Sequence, residues 1–491
     1  MSSKIKDKNI FLIAMDKNNN NLFSITHGTD YLKILGIIVP IALFTILIGN
    51  YTFYLSIIII AIFPVFIFGE KYIIFSIIVT VFTLVGDLGE SLRAFVQFID
   101  FALLSILFVK HYGLNLSQYP KLPKSLNVFI VLYYFSMFLS VILSQHFQEG
   151  IQKITRQTEF FIVAYFLYSL IRSEDLLRTI LKGFIAASII IVFSSFVNFY
   201  FEGLALSDYG MGKEIRVTGL MSNILATSTF YVIATPLVIA FLIQTQNKKI
   251  KIILWSLIVL LIMGILLTAS RSALFSVILS TSFIFFYYHR KLIISFFSIL
   301  TFIGLIIYFT PPLNQISSIV LRTEAGLSQR QHYWTMAYDM IADNLLFGIG
   351  PGSYGYEMYN YFPVMRESWI GKVIINTNEI TGGSNNSHNY FLVFISDMGI
   401  LGFILSLMFP IIFFSITIKT LKMYEKTERN TFYCLVGISA AGSSIFVKAM
   451  IDGLGILSYG FISADMPFWL MFMGIIYFYL RKKNENDLKL E

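Results

Sequence analysis

The sequence predicts an all-α fold, a polytopic transmembrane helix bundle of about 12–14 spans with one large external loop. Three observations predict it. Apolar residues make up 56% of the 491-residue chain and charged residues 13%, about half the charged share of an average soluble domain. Apolar runs of about 18–20 residues, long enough to cross the hydrocarbon core, recur from one end to the other. Short polar links separate them, apart from one long stretch at 311–388.

The elements follow in order. Residues 1–30 are polar, with Lys4, Lys6, Lys8 and the run Asn18–Asn21. No small-residue cleavage site follows an apolar core, so this stretch reads as a cytoplasmic tail and not a cleaved signal peptide. Candidate spans then run over 31–49, 51–68, 72–86, 94–110, 126–144, 155–171, 177–200, 225–243, 250–268, 272–288 and 292–309. Three more, at 390–418, 431–449 and 464–480, follow the long loop. The tight link Gly49–Asn50 makes the first two spans a hairpin, the third span is short and the twelfth is long. The chain thus divides into a tail (1–30), a first transmembrane bundle (31–310), an external loop (311–388), C-terminal spans (389–480) and a second tail (481–491).

Charge sets the orientation. With the N-terminus inside, most of the 36 Lys and Arg residues fall in inside links, as the positive-inside bias requires. An even number of spans returns the basic C-terminal tail to the same side. The net charge of +8 is scattered among these links, so topology explains it better than a nucleic-acid partner. The one cysteine, Cys434, lies inside an apolar run, which excludes a disulfide within the chain and a cysteine-rich metal site.

The loop at 311–388 is too long to be a plain connection. Ser328-Gln329-Arg330-Gln331 fits a capping box, and Trp334, Ala337, Ile341 and Leu345 follow at helical spacing. Gly348-Ile349-Gly350-Pro351-Gly352 then ends the helix, since neither residue type extends it cheaply. The expectation is an amphipathic helix on the outer membrane surface followed by a tight turn. Residues 376–389 are polar and rich in Gly and Asn, and they deliver His388 to the point where the chain re-enters the membrane. A site there borders water and lipid, which suits a reaction joining a lipid-borne group to a water-borne one.

Three positions on that side can carry chemistry. Arg216 lies between the seventh and eighth spans, Arg271 in the turn Ser270-Arg271-Ser272, and His388 at the start of the twelfth span. An Arg at a membrane boundary is either a snorkelling anchor or an anion ligand. On the outer side, where basic residues are scarce, an anion gives the better reason, and a guanidinium fork matches paired phosphate oxygens. Arg330 is a weaker member of the set, because a surface helix tolerates Arg freely. His388 is either an interfacial histidine satisfied by water or a base working near neutral pH. There is no His pair at i, i+4, no P-loop and no nucleophile elbow. Acidic residues in the spans are few, Asp397 being the clearest, so a proton-coupled transporter is not indicated.

Several motifs then combine. Thr268-Ala269-Ser270-Arg271-Ser272-Ala273-Leu274 resembles the bacterial O-antigen ligase and O-antigen polymerase family. So do Arg330-x-x-x-Trp334, the run from Met340 to Tyr354, Ser387-His388-Asn389-Tyr390-Phe391-Leu392, and Asp397-Met398-Gly399-Ile400-Leu401-Gly402. Arg216-Val217-Thr218-Gly219-Leu220 is similar to an earlier segment of the family. Asp397 stands where Glu is common and Leu345 where Pro is frequent. The resemblance covers about 216–405.

It implies a metal-independent and cofactor-free membrane glycosyltransferase working on the outer face of the inner (cytoplasmic) membrane. The donor would be a glycan on undecaprenyl diphosphate and the acceptor a sugar hydroxyl, on a lipid-linked repeat unit in a polymerase or on lipid A core in a ligase. Arg216, Arg271 and Arg330 would hold the diphosphate, His388 would be the base, and Trp334, Asn389 and Asp397 would support them. Membrane lipids, a chain-length regulator and a flippase of the same pathway are the expected neighbours. Nothing marks a lipid A partner, so the reading leans to polymerase. A lipid-linked oligosaccharide flippase is the distant alternative, disfavoured because the Arg residues gather at one face.

Overall fold

A chain with too few polar side chains for water must satisfy its backbone internally, and in lipid only helices and closed barrels achieve that. This chain uses helices. The computed structural model describes residues 69–83, 90–113, 115–201, 217–221, 223–311, 313–314, 317, 330–358, 360–361 and 386–490. The described residues contain no strand. In chain order the helices are α1 Glu70–Thr83, α2 Glu90–Tyr112, α3 Lys124–Leu143, α4 Phe147–Leu170, α5 Glu174–Phe201, α6 Ile224–Gln244 and α7 Lys248–Leu267. They continue with α8 Arg271–Tyr288, α9 Arg290–Phe309, α10 Arg330–Asp343, the single turn α11 Tyr354–Glu357, α12 Tyr390–Glu425, α13 Arg429–Asp452 and α14 Ile462–Leu490.

Every apolar run from 94–110 onward lies on one of these helices, as does the 72–83 part of the third; the first two fall outside the described residues. Nine of the helices are long and apolar enough to cross a membrane: α3, α5 to α9 and α12 to α14. The predicted spans on α1, α2 and α4 do not meet that measure. α1 is described over 14 residues, Glu70–Thr83, and α2 and α4 carry charged residues within their length. The segment 481–490, read as a tail, continues α14 without a break.

Helix starts follow from short polar side chains. Asn223, Asn247, Ser270 and Asn389 each precede a helix and accept hydrogen bonds from its first free N–H groups. The turns between α6, α7 and α8 are three residues each, so these helices alternate in direction. α6, α13 and α14 are almost wholly enclosed and form the centre of the bundle. α9 has no buried residue and lies at the periphery. Its apolar surface, with Ile294 and Phe302 exposed, is what a lipid-facing helix presents. Phe129, Phe409, Phe413, Phe468, Trp469 and Phe472 pack into one aromatic cluster between α3, α12 and α14.

The long helix α12 is broken. Gly399 adopts φ 62°, ψ −150° inside it. A break frees backbone groups that lipid cannot satisfy, so they must find protein partners. The Gly-rich loop segment supplies them. Ile349 N–H donates to Ser396 O (2.9 Å), Gly350 N–H to Asp397 O (3.0 Å), and Ile400 N–H to Leu345 O (2.9 Å). A Cβ on Gly348 would come within 2.4 Å of the Asp397 carbonyl carbon, and one on Gly399 within 2.4 Å of Leu346 O. The glycines are there for this close approach. The segment is therefore more than the tight turn expected from sequence: it is laid along the α12 break.

α10 forms where the loop helix was predicted, and Ala337, with Trp334 and Ile341 packed beside it, lies on its inward side, but that side is centred on other residues. Tyr333, Met336, Ala337 and Met340 are buried, while Leu345 is exposed. The helix ends at Asp343, before Leu345 can continue the stripe, and Tyr333 and Met340 face Ile349, Tyr354 and Leu392. Ser328 and Gln329 of the predicted capping box lie outside the described residues.

Candidate active site

The last turn of α13 is the meeting point of the site. Asp452 is fully buried there. One turn earlier on the same face, Lys448, also fully buried, places Nζ 3.0 Å from Asp452 Oδ2. Lys448 Nζ also donates to Leu225 O in the first turn of α6 (3.2 Å). From the start of α8, Ser272 Oγ donates to Asp452 Oδ2 (2.6 Å). From the start of α10, Arg330 Nη2 donates to Asp452 Oδ1 (2.5 Å). At the start of α12, Asn389 Nδ2 donates to Met450 O (2.7 Å), one of the free carbonyls at the C-terminal end of α13. The N-termini of α6, α8 and α12 thus surround the C-terminal turn of α13. Each N-terminus carries a partial positive charge.

His388 is set by local chemistry. It sits at φ 50°, in the left-handed region. Its N–H donates to Asn386 Oδ1 (2.8 Å), a turn that Asn forms readily two residues ahead. Gly453 caps α13 at φ 74°, and a Cβ there would lie 3.3 Å from His388 Cα and 3.1 Å from Asn389 N. The backbone of His388 therefore rests on the residue next to Asp452. Its ring meets Tyr333 of α10 edge-on, with centroids 5.2 Å apart. Tyr333 O in turn accepts from Tyr354 OH (2.6 Å). Burial pushes the Tyr354 phenol above its usual range, so it stays a donor.

Arg271 is the first residue of α8, partly exposed, between Ser270 and Ser272. The hydroxyls of these two serines are 3.1 Å apart, and a left-handed Ala269 (φ 49°) makes the turn before them. Arg216 lies outside the described residues. The next residue, Val217, donates its N–H to Leu267 O at the end of α7 (3.2 Å). Thr218 O accepts from Thr227 Oγ in α6 (2.6 Å). The chain leaving Arg216 therefore runs beside the turn that carries Arg271.

The structure brings Arg330, His388, Asn389 and the Arg271 turn together. Arg330 gives one guanidinium donor to Asp452, leaving others of its five for an anion. Trp334 stands one turn along α10 from Arg330, partly buried, its enclosed indole Nε1 without a protein partner. Asp397 belongs to a different cluster, two turns into α12. Its Oδ2 accepts from Gly352 N–H (3.0 Å) and Tyr459 OH (2.8 Å). It holds the Gly-rich segment in place.

Sequence reasoning missed Asp452, Ser272 and the role of Lys448. A signal was present: Lys448 and Asp452 stand four apart near the end of an apolar run, and ionisable pairs at that spacing within a span are rare and seldom idle. Among the described residues no cluster of His, Cys, Asp and Glu has the makings of a metal site.

A comparison with curated proteins gives no match. The family model described as O-antigen ligase matches residues 256–407. The matched stretch holds Arg271, Arg330, His388 and the α12 break, while Arg216 and Asp452 lie on either side of it. That match, over residues 256–407, supports the resemblance to the O-antigen ligase and polymerase family.

Proposed function

We propose that this membrane protein is a glycosyltransferase that moves a glycan from undecaprenyl diphosphate to a sugar hydroxyl in surface polysaccharide synthesis. The observation that carries the reading is the convergence on Asp452. One buried carboxylate links the Arg271 turn and Arg330, and His388 rests on the residue beside it.

The chemistry follows from those groups. The acceptor oxygen bonds to the anomeric carbon as the bond to the diphosphate breaks, and negative charge grows on the leaving phosphate. Arg271 and Arg216 stabilise that charge, aided by the α8 and α12 N-termini and by the free donors of Arg330. His388 takes the proton of the acceptor hydroxyl. Asp452 keeps Arg330 and Ser272 in register. Trp334 and Asn389 support the positions of α10 and α12. The lipid-exposed helices of the bundle would hold the prenyl chain. The site would face the outside of the inner (cytoplasmic) membrane, with both termini in the cytoplasm, as the bias of basic residues indicates.

The polymerase reading comes first, with a lipid-linked glycan as acceptor and a chain-length regulator and flippase as pathway neighbours. The ligase reading is favoured by the description of the matching family. One experiment separates them: deletion of the gene, complementation with wild type or His388→Ala, and sizing of lipid-linked and surface glycans. Single repeat units on the outside, with no ladder, identify a polymerase. Full-length chains left on undecaprenyl diphosphate identify a ligase. Lipid-linked units trapped in the cytoplasmic leaflet would overturn the transferase reading in favour of a flippase.

A further inference from the structure

A second polar cluster lies in the same half of the bundle and takes no part in the Asp452 hub. Its floor is aromatic. Trp469 of α14 meets Phe160 and Phe161 of α4 edge-on, at 6.0 and 5.3 Å. Phe161 also meets Tyr133 of α3 at 6.4 Å. One helical turn toward the site end, α14 carries Asp465 and α4 carries Gln157, and residues four apart share a face. Asp465 and Gln157 therefore occupy one layer above the aromatic floor. Tyr390 enters from α12: Phe394 bridges it (4.8 Å) to Tyr133 (5.8 Å). Two turns along α3 from Tyr133, Ser140 Oγ donates to Asp397 O (2.6 Å), which brings Asp397 beside α3. Tyr459 OH donates to Asp397 Oδ2 (2.8 Å).

This layer is sealed and short of partners. Tyr133, Gln157 and Asp465 are 0% exposed, Tyr390 and Asp397 3%. The Tyr133 and Tyr390 hydroxyls and both amide atoms of Gln157 have no protein partner. Neither Asp397 nor Asp465 is in an ion pair among the described residues; Lys153 acts on Asp397 only at longer range. Leaving so many buried donors and acceptors unmade is unfavourable, and native interiors satisfy such groups with enclosed water.

We propose that the layer between α3, α4, α12 and α14 is an internal water-binding chamber, in which ordered water bridges Tyr133, Gln157 and Tyr390 to Asp397 and Asp465. Water is the ligand this set selects. It accepts from the two phenols and from Gln157 Nε2, and it donates to Gln157 Oε1 and to the carboxylates. A metal cation would serve the oxygens and leave Nε2 unmet. The chamber also has a mechanical consequence. It solvates the carboxylate that holds Gly352, and so steadies the Gly-rich segment against the α12 break without a salt bridge.

Radiolytic hydroxyl footprinting of the purified full-length protein in detergent tests this, because radicals made from enclosed water modify the side chains touching it. Tyr231 and Tyr424 are equally buried but hydrogen-bonded to protein, and they are the dry references. Tyr133 and Tyr390 are expected to be modified several-fold faster than both. Modification at the rate of Tyr231 would mean a dry layer and would overturn the proposal. Thermal unfolding of Gln157→Leu gives an independent reading. In a hydrated chamber the change strips bound water of its partners and lowers Tm. In a dry layer it removes an unpartnered amide and raises Tm.

Discussion

Gly348→Ala tests the structural role of the Gly-rich segment most directly. Gly348 has φ 71°, a conformation that costs an alanine roughly 1–2 kcal/mol. The new methyl would stand 2.4–2.5 Å from three backbone atoms of Asp397 and Met398. Backbone cannot swing aside as a flexible side chain can, so overpacking adds roughly 1–3 kcal/mol. The combined penalty of roughly 2–5 kcal/mol falls on the docking of residues 345–350 against α12. At about 1.4 kcal/mol per tenfold, local opening becomes about thirty to several thousand times more frequent. The amides of Ile349, Gly350 and Ile400 hold that docking, and their hydrogen exchange reads it. The control is Gly304→Ala, since nothing lies within 4 Å of a Cβ at Gly304 in α9. Exchange of those three amides at wild-type rates in Gly348→Ala would refute the account of the α12 break.

Three further outcomes follow from the site. His388→Ala should lower transferase activity by about 10²–10⁴-fold, the usual worth of a general base, with membrane insertion unchanged by protease mapping. Arg271→Ala should abolish product, and Arg271→Lys should restore only part of it, because an ammonium lacks the paired fork; full restoration by Lys would argue against bidentate diphosphate binding. Asp452→Asn should cut the yield of folded protein in detergent by leaving Lys448 buried without its countercharge, a loss of about 3–5 kcal/mol. Adding Lys448→Met should return much of that yield but little of the activity, since Asn offers one neutral acceptor oxygen where Arg330 and Ser272 used the two of a carboxylate.

The fold class was legible because membrane crossing is a composition property. A run of apolar residues long enough to span has few alternatives to a helix, so α3, α5 to α9, α12 and α13 stand close to their predicted positions. Ser270 and Asn389 cap α8 and α12 through side-chain oxygens placed locally, a signal of the same kind that went unread. What stayed hidden is long-range. The break at Gly399 looks in sequence like one glycine in an apolar run. Its meaning comes from Gly348 and Gly350, about fifty residues away, which approach its backbone. The inward face of α10 was read in part: Ala337 is buried with Trp334 and Ile341 packed beside it, while Tyr333 and Met340, covered by Ile349, Tyr354 and Leu392, were not in the predicted stripe.

Asp452 shows why a list of candidate residues falls short of a site. Searching for groups able to touch a diphosphate or remove a proton selects exposed cations and histidines. A fully buried aspartate on a helix C-terminal turn does neither. Yet the C-terminal end of α13 is negative by its dipole as well as by Asp452, and the three N-termini around it are positive. Such an arrangement draws together cationic and dipolar elements that would otherwise repel one another, and Lys448 balances part of the charge from below. The positive site that the proposed anionic donor would need is thus assembled around a negative centre. Its assembly depends on α13, which lies outside the stretch that carries Arg271, Arg330 and His388.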